Sequence, residues 1–319
     1  MSDLTEAAMS TARSYAEFAA REAHRSSPAY AELSVAVARD PGVLTLLDSL
    51  PPAKRQPNLL YAVVTYLGGP VTSAPPFLDF VRSNWPRIEP EMRTRATQTN
   101  EVGRCALLLP VLAALPQPLA LLEIGASAGL NLYPDRYAYR YGSFDLGEST
   151  VVLDCELTGA PPPTTLPRVG WRAGLDLNPL DITDPDDARW LESLIWPEHH
   201  HRRDRLRAAA RIAASAPPAL HRGDLAEDLP ALAAQAPADA TLVVFHTSVL
   251  YQVPSDRLSA FSDCVRDLPG HWISVEGPAT VAFDGLPDPP DETLFNVLAL
   301  DGRPLAWAHP HGQGLHWFA

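Results

Sequence analysis

Cysteine is scarce in this chain of 319 residues, with Cys105, Cys155 and Cys264 the whole complement. No C-x-x-C pair brings two of them together, which excludes a disulfide-stapled scaffold and a thiolate zinc site. Reduced thiols in a cytoplasmic protein are the expectation. Basic residues are also short: Lys and Arg number 25 against 38 Asp and Glu, for a formal net charge of −13. A phosphate-backbone partner calls for a basic face, so nucleic acid is excluded as the ligand class. No apolar run reaches the ~20 residues that a membrane span needs. The first residues carry Asp3 and Glu6 without an apolar core, so no secretory leader is expected. Internal repeats are absent.

What is present is a globular composition, 46% hydrophobic and 20% charged, sufficient for a large core. The length suits one large or two ordinary domains at roughly 150 residues each. Between Asp3 and Glu22, the residues Leu4, Ala8, Tyr15 and Phe18 recur at helical spacing. Further helical patterns run over Pro28–Arg39, Pro41–Leu50 with Asp40 as N-cap, Asn58–Leu67, Phe77–Trp85, and from Asn100 to about Leu115. Residues 1–116 are therefore expected to form a helical domain.

After Pro118 the pattern changes. Strand candidates Leu119–Ile124, Val169–Leu175, Ala219–Gly223, Thr241–His246 and His271–Glu276 alternate with helical stretches, which favours a parallel sheet covered on both faces. A Tyr- and Val-rich piece, about 137–160, reads as an inserted β ribbon. Two apolar runs flank Asp301-Gly302, a strong hairpin signal.

The stretch Leu119 to Leu132, L-A-L-L-E-I-G-A-S-A-G-L-N-L, organises this second part. An apolar strand ends on Glu123, and a turn of small residues follows: Gly125, Ala126, Ser127, Ala128 and Gly129. Small residues let a ligand approach the backbone, and a helix entered after the turn would offer free N–H groups. The spacing is not the dinucleotide G-x-G-x-x-G, since Ser127 stands where a middle glycine would be. Acids or histidines mark the other strand ends: Asp176, Asp224, His246 and Glu276. Each alone also suits a cap or a solvated turn. For His246 a buried structural role rivals general-base chemistry.

In this order, G-x-x-x-G after Glu123, then G-L-D-L-N-P, G-D-L, F-H-T-S-V-L-Y-Q-V-P and a closing hairpin, residues 119 to 319 resemble a class I S-adenosylmethionine-dependent methyltransferase. The resemblance implies an α/β Rossmann-like sheet of five parallel strands plus a C-terminal antiparallel hairpin. It implies that the loop with Glu123, Gly125, Ala126, Ser127 and Gly129 packs on the methionine part of the cofactor. Asp176 would hold the ribose, Asp224 would lie by the adenine, and His246 would face the methyl group, with Glu276 orienting it or holding substrate. More narrowly, T-Q-T-N-E-V-G-R, E-I-G-A-S-A-G-L-N-L, D-L-N-P-L-D and H-P-H-G together resemble a bacterial family of unknown function with a methyltransferase-like domain.

Other residues complete the expectation. Arg104 either grips a ligand carboxylate or pairs with Glu101 on a helix; Gln98 and Asn100 either bind substrate, or Thr99 or Asn100 serves only as the N-cap of that helix. His309 and His311 line the substrate pocket; a metal shared with His246 lacks a third ligand at a recognisable spacing, and His199-His200-His201 reads as a solvated helix entrance. The expected activity is methyl transfer from S-adenosylmethionine to an oxygen or nitrogen of a small molecule, by a monomer or homodimer with the helical domain as a lid. A non-catalytic nucleotide-binding protein is the alternative, and a His-metal hydrolase a weaker one.

Overall fold

The computed structural model describes residues 5–283 and 285–319, so Asp3 and Leu4 of the first expected helix lie outside it. The helices are α1 (Glu6–Phe18), α2 (Pro28–Ala38), α3 (Pro41–Asp48), α4 (Pro57–Tyr66), α5 (Ala74–Thr94), α6 (Cys105–Ala114), α7 (Pro185–Ser193), α8 (His200–Ser215), α9 (Leu229–Ala233) and α10 (Ser255–Asp267). They belong to two compact units. One comprises the residues up to Thr99 together with Asp184–Asp204, the other Asn100–Thr183 with Arg205–Ala319.

The first unit is helical. Thr5, Ser27 and Asp40 cap α1, α2 and α3, each accepting from a backbone N–H three residues on, and proline occupies the first turn of α2, α3 and α4. Helix α5 runs well past the expected end at Trp85, through Pro86 and Pro90. Its buried residues Phe77, Val81, Trp85, Ile88 and Met92 keep helical spacing throughout, and that burial outweighs the two prolines. Tyr61 centres the core, with its ring 6.2 Å from Tyr15 and 5.5 Å from Phe77.

The second unit is a sheet with helices. Its strands are β1 (Leu119–Ile124), β2 (Ala138–Tyr141), β3 (Phe144–Leu146), β4 (Val152–Thr158), β5 (Val169–Asp176), β6 (Ala219–Arg222), β7 (Thr241–Thr247), β8 (His271–Glu276), β9 (Asn296–Leu300), β10 (Arg303–Ala308) and β11 (Gly314–Trp317). They lie in the order β3-β2-β4-β11-β10-β9-β8-β7-β1-β5-β6. Five of them, β6-β5-β1-β7-β8, are parallel. Every residue of β1 is buried, as a strand covered on both faces requires. Strands β9 and β10 form the expected antiparallel pair around Asp301 and Gly302, both at positive φ.

Among the described residues the sheet has eleven strands, more than the sequence indicates. Arg303–Phe318 is not one strand but two, β10 and β11, separated by the turn at 309–312, and β11 carries the sheet onward by pairing with β4 of the ribbon. Helix α6, assigned on sequence to the helical domain, falls in this unit. It is apolar on all sides, with Cys105–Leu109, Val111 and Leu112 buried. The helix expected after Gly129 is absent. A single 3₁₀ turn, Leu130–Leu132, is all that forms before Pro134, and the Tyr137 hydroxyl donates to the Leu130 carbonyl at 2.6 Å. Among the described residues no helix is long and apolar enough to cross a membrane.

Two glycines separate strain from clash. Gly302 has φ +79° with nothing within 4 Å of a Cβ, whereas at Gly159, φ +78°, a Cβ would lie 2.0 Å from the Trp317 carbonyl oxygen. Gly302→Ala should cost about 1 kcal/mol from backbone conformation alone. Gly159→Ala should cost at least ~3 kcal/mol, because β4 and β11 must also move apart. Urea unfolding of both variants checks this, and equal losses would contradict the β4–β11 packing.

Candidate ligand site at the strand ends

From β1 the chain steps to β5 and β6 on one side, and from β7 to β8 on the other. The order reverses between β1 and β7, and ligands of open α/β sheets bind beyond the carboxyl ends at such a reversal. The loop after β1 holds three residues at positive φ: Gly125 (69°), Ser127 (53°) and Gly129 (70°). Two side chains fix it. Asp176 accepts from the Ser127 N–H at 2.8 Å through one oxygen and from the Asn178 N–H at 2.7 Å through the other. Asn100 donates to the Ala126 carbonyl at 2.7 Å and accepts from the Leu130 N–H at 3.0 Å.

These bonds revise several expectations. Asn100 uses both ends of its amide on the loop and so clamps it. Asp176 is also a clamp, though a carboxylate with about four lone-pair positions keeps half of them. The glycines answer to packing rather than to ligand approach. A Cβ on Gly125 would lie 2.6 Å from Val249 and one on Gly129 2.8 Å from Pro218. Buried Ala126 faces Gly174 of β5, where a Cβ would lie 2.5 Å from its own, so Gly174 makes room for this loop, a role that no sequence pattern marks.

The pleat then divides the remaining candidates. Glu123 is level with Phe245 across β1 and β7, while His246 is level with Ser274 across β7 and β8. Side chains alternate along a strand, so Glu123 and Thr247 share one face and His246 and Glu276 the other.

On the first face Glu123 is 2% exposed. One carboxyl oxygen accepts from the Asn131 amide at 3.0 Å, and the other has no partner among the described residues. Burial pushes its pKa up to about 8, against the lowering effect of the Asn131 hydrogen bond and the nearby Arg104 charge. Arg104 is buried and donates to the Pro310 carbonyl at 2.9 Å and the Thr247 carbonyl at 2.7 Å. The guanidinium thus ties strand β7 to the turn after β10. It stands on a 3₁₀ turn, Val102–Arg104, capped by Glu101, which accepts from the Gly103 N–H at 3.0 Å and from Arg205 at 2.7 Å.

Gly103 explains why two distant motifs occur together. A Cβ on Gly103 would lie 2.4 Å from the His311 carbonyl oxygen, and one on Gly312 would lie 2.0 Å from the Gly103 carbonyl oxygen. N-E-V-G-R and H-P-H-G are two sides of one backbone contact. His309 and His311 are half-buried, with rings 6.2 Å apart, and burial lowers the His309 pKa. Among the described residues no three His, Cys, Asp or Glu side chains gather where a metal ion would sit.

On the second face His246 is fully buried. Its Nε2 accepts from the Trp272 indole N–H at 3.0 Å, and Nδ1 lies 2.8 Å from a Glu276 oxygen. Indole only donates, so Nε2 carries no proton and Nδ1–H donates to Glu276. Phe261 of α10 packs on the ring at 5.5 Å. Both nitrogens are engaged inside the core, so His246 is a structural histidine in this geometry and not a free base. The same Glu276 oxygen accepts from the Val249 and Leu250 N–H groups, at 2.9 and 3.3 Å. Asp224 caps a turn, accepting from the Ala226 and Glu227 N–H groups at 2.8 and 3.2 Å. Gln98 belongs to the helical unit.

His246→Ala would leave a buried indole N–H and a buried carboxylate short of a partner. The expected loss is about 2–4 kcal/mol of stability, read by chemical denaturation. A variant as stable as the wild type would return the imidazole to the list of free catalytic groups.

A family model described as an uncharacterized protein conserved in bacteria (DUF2332) matches residues 12–317. No curated protein and no solved structure matches the chain.

Proposed function

The chain belongs to this bacterial family, DUF2332, and from its site geometry we propose that it transfers a methyl group from S-adenosylmethionine to an oxygen or nitrogen of a small molecule. Glu123 carries the reading. A carboxyl buried at the carboxyl end of β1, beside the reversal of strand order, has one oxygen without a partner among the described residues. That oxygen suits a cationic donor such as the ammonium of the methionine part, which would favour the charged carboxylate and offset its burial.

Further support comes from Asp176, whose unspent lone pairs suit ribose hydroxyls, and from the acidic strand ends, which favour a cation over an anion. S-adenosylmethionine, when bound, would supply a methyl carbon on sulfur, with S-adenosylhomocysteine as the leaving group and the acceptor's proton passing to solvent. The protein's part is alignment. The loop clamped by Asp176 and Asn100 fixes where the cofactor sits, and positioning of this kind provides much of the rate in a displacement. His246 takes no proton in this scheme, since neither nitrogen is free.

Calorimetry with S-adenosylhomocysteine on the full chain tests the reading without knowledge of the acceptor. Binding is expected, weakened about tenfold or more by Glu123→Gln, the worth of one charge-assisted hydrogen bond. No binding by the wild type, or unchanged affinity in the variant, would overturn it.

A further inference from the structure

The residue that follows strand β7 is strained. Ser248 has φ +53°, a conformation a side chain rarely adopts. Its N–H donates to the Val275 carbonyl at 2.9 Å, which pins the backbone. Its hydroxyl oxygen accepts from the Asn296 amide at 3.0 Å, joining the end of β7 to the start of β9. The Ser248 proton has no acceptor among the described residues, and neither does the Asn296 carbonyl oxygen have a donor. A hydroxyl presented there would find both a donor and an acceptor. Strain held at a strand end beside a ligand site is a reason to look for function.

Two exposed aromatic residues stand close to this pair in the sequence. Tyr251, three residues after Ser248, is 67% exposed, and Phe295, next to Asn296, is 54% exposed. They are the two aromatic rings among the exposed large hydrophobic side chains. Glu276 is buried and accepts from the Val249 and Leu250 N–H groups, so the turn that leads to Tyr251 is anchored. A buried carboxylate there also disfavours an anionic ligand.

We infer that the ends of β7 and β9 form the acceptor subsite, and that it takes an uncharged aromatic ring bearing a hydroxyl. The hydroxyl sits between Ser248 and Asn296, and the ring lies against Tyr251 and Phe295. The word acceptor rests on the methyl-transfer reading, whereas the ligand preference does not.

The test uses 4-methylphenol, with 4-methoxytoluene as the ring without a hydroxyl proton and cyclohexanol as the hydroxyl without an aromatic ring. Saturation-transfer NMR and titration are run on the full chain with and without S-adenosylhomocysteine. 4-Methylphenol should bind about tenfold more tightly than either control, a difference of one hydrogen bond or one stacked ring. Ser248→Gly keeps the fold because glycine prefers this φ, and it should remove the preference over 4-methoxytoluene. Phe295→Ser, a surface change, should remove the preference over cyclohexanol. Affinity for S-adenosylhomocysteine should be unchanged in both variants. Equal binding of the three probes, no binding of 4-methylphenol, or wild-type preference in Ser248→Gly would overturn the inference. Failure of S-adenosylhomocysteine to bind, with the probe preference intact, would overturn the methyl-transfer reading and sustain the subsite.

Discussion

The backbone of residues 126–130 turns at the end of β1 with no helix to receive it, and two side chains take the helix's place. In an ordinary strand–loop–helix unit the first helical turn absorbs the loop's carbonyls and amides. Here Asn100 absorbs the Ala126 carbonyl and the Leu130 N–H, and Asp176 absorbs the Ser127 N–H. Unpaired buried backbone groups are costly, so the rest of the site follows from these clamps. Asn100 must enter from the segment before α6, which brings Gly103 and Arg104 with it. Gly103 then meets the turn at Gly312, and Arg104 spans from the Pro310 carbonyl to the end of β7.

Much of the sheet was legible in the residues. Leu119–Ile124 and His271–Glu276 are strands with the bounds their apolar runs suggest, because a parallel strand buried on both faces leaves a continuous apolar run. Asp301-Gly302 makes its hairpin because both positions need positive φ. What was not legible depends on contacts between distant residues. The β4–β11 pairing joins segments more than 150 residues apart in the chain, and periodicity carries no record of it. The helical pattern reads only to Trp85, before Pro86, and tertiary burial of Ile88 and Met92 carries α5 on through Pro86 and Pro90.

The site was legible as a set of strand ends but not as a geometry. Glu123, Asp176, His246 and Glu276 all stand at carboxyl ends, yet the pleat sends Glu123 to one face and His246 with Glu276 to the other. Trp272 decides the fate of His246, since an indole N–H can only donate and so occupies the nitrogen that a base would need. A tryptophan four residues before the end of the next strand gives no such signal in a sequence. On the Arg104 face Glu123 keeps one buried carboxyl oxygen without a partner among the described residues.

Glu123 therefore bears most of the account. Its pKa is raised, so near neutral pH the folded protein holds a proton there that the unfolded chain has lost, and the stability it contributes falls as pH rises from the ordinary carboxyl range toward 8. A bound ammonium would reverse that preference and draw the proton off. Carbon-13 NMR of the Glu123 carboxyl, assigned with Glu123→Gln, measures this directly. The account predicts a midpoint near 8 in the free protein and a clear downward shift when S-adenosylhomocysteine is added. A midpoint in the ordinary carboxyl range, or one that does not move with S-adenosylhomocysteine, would contradict it.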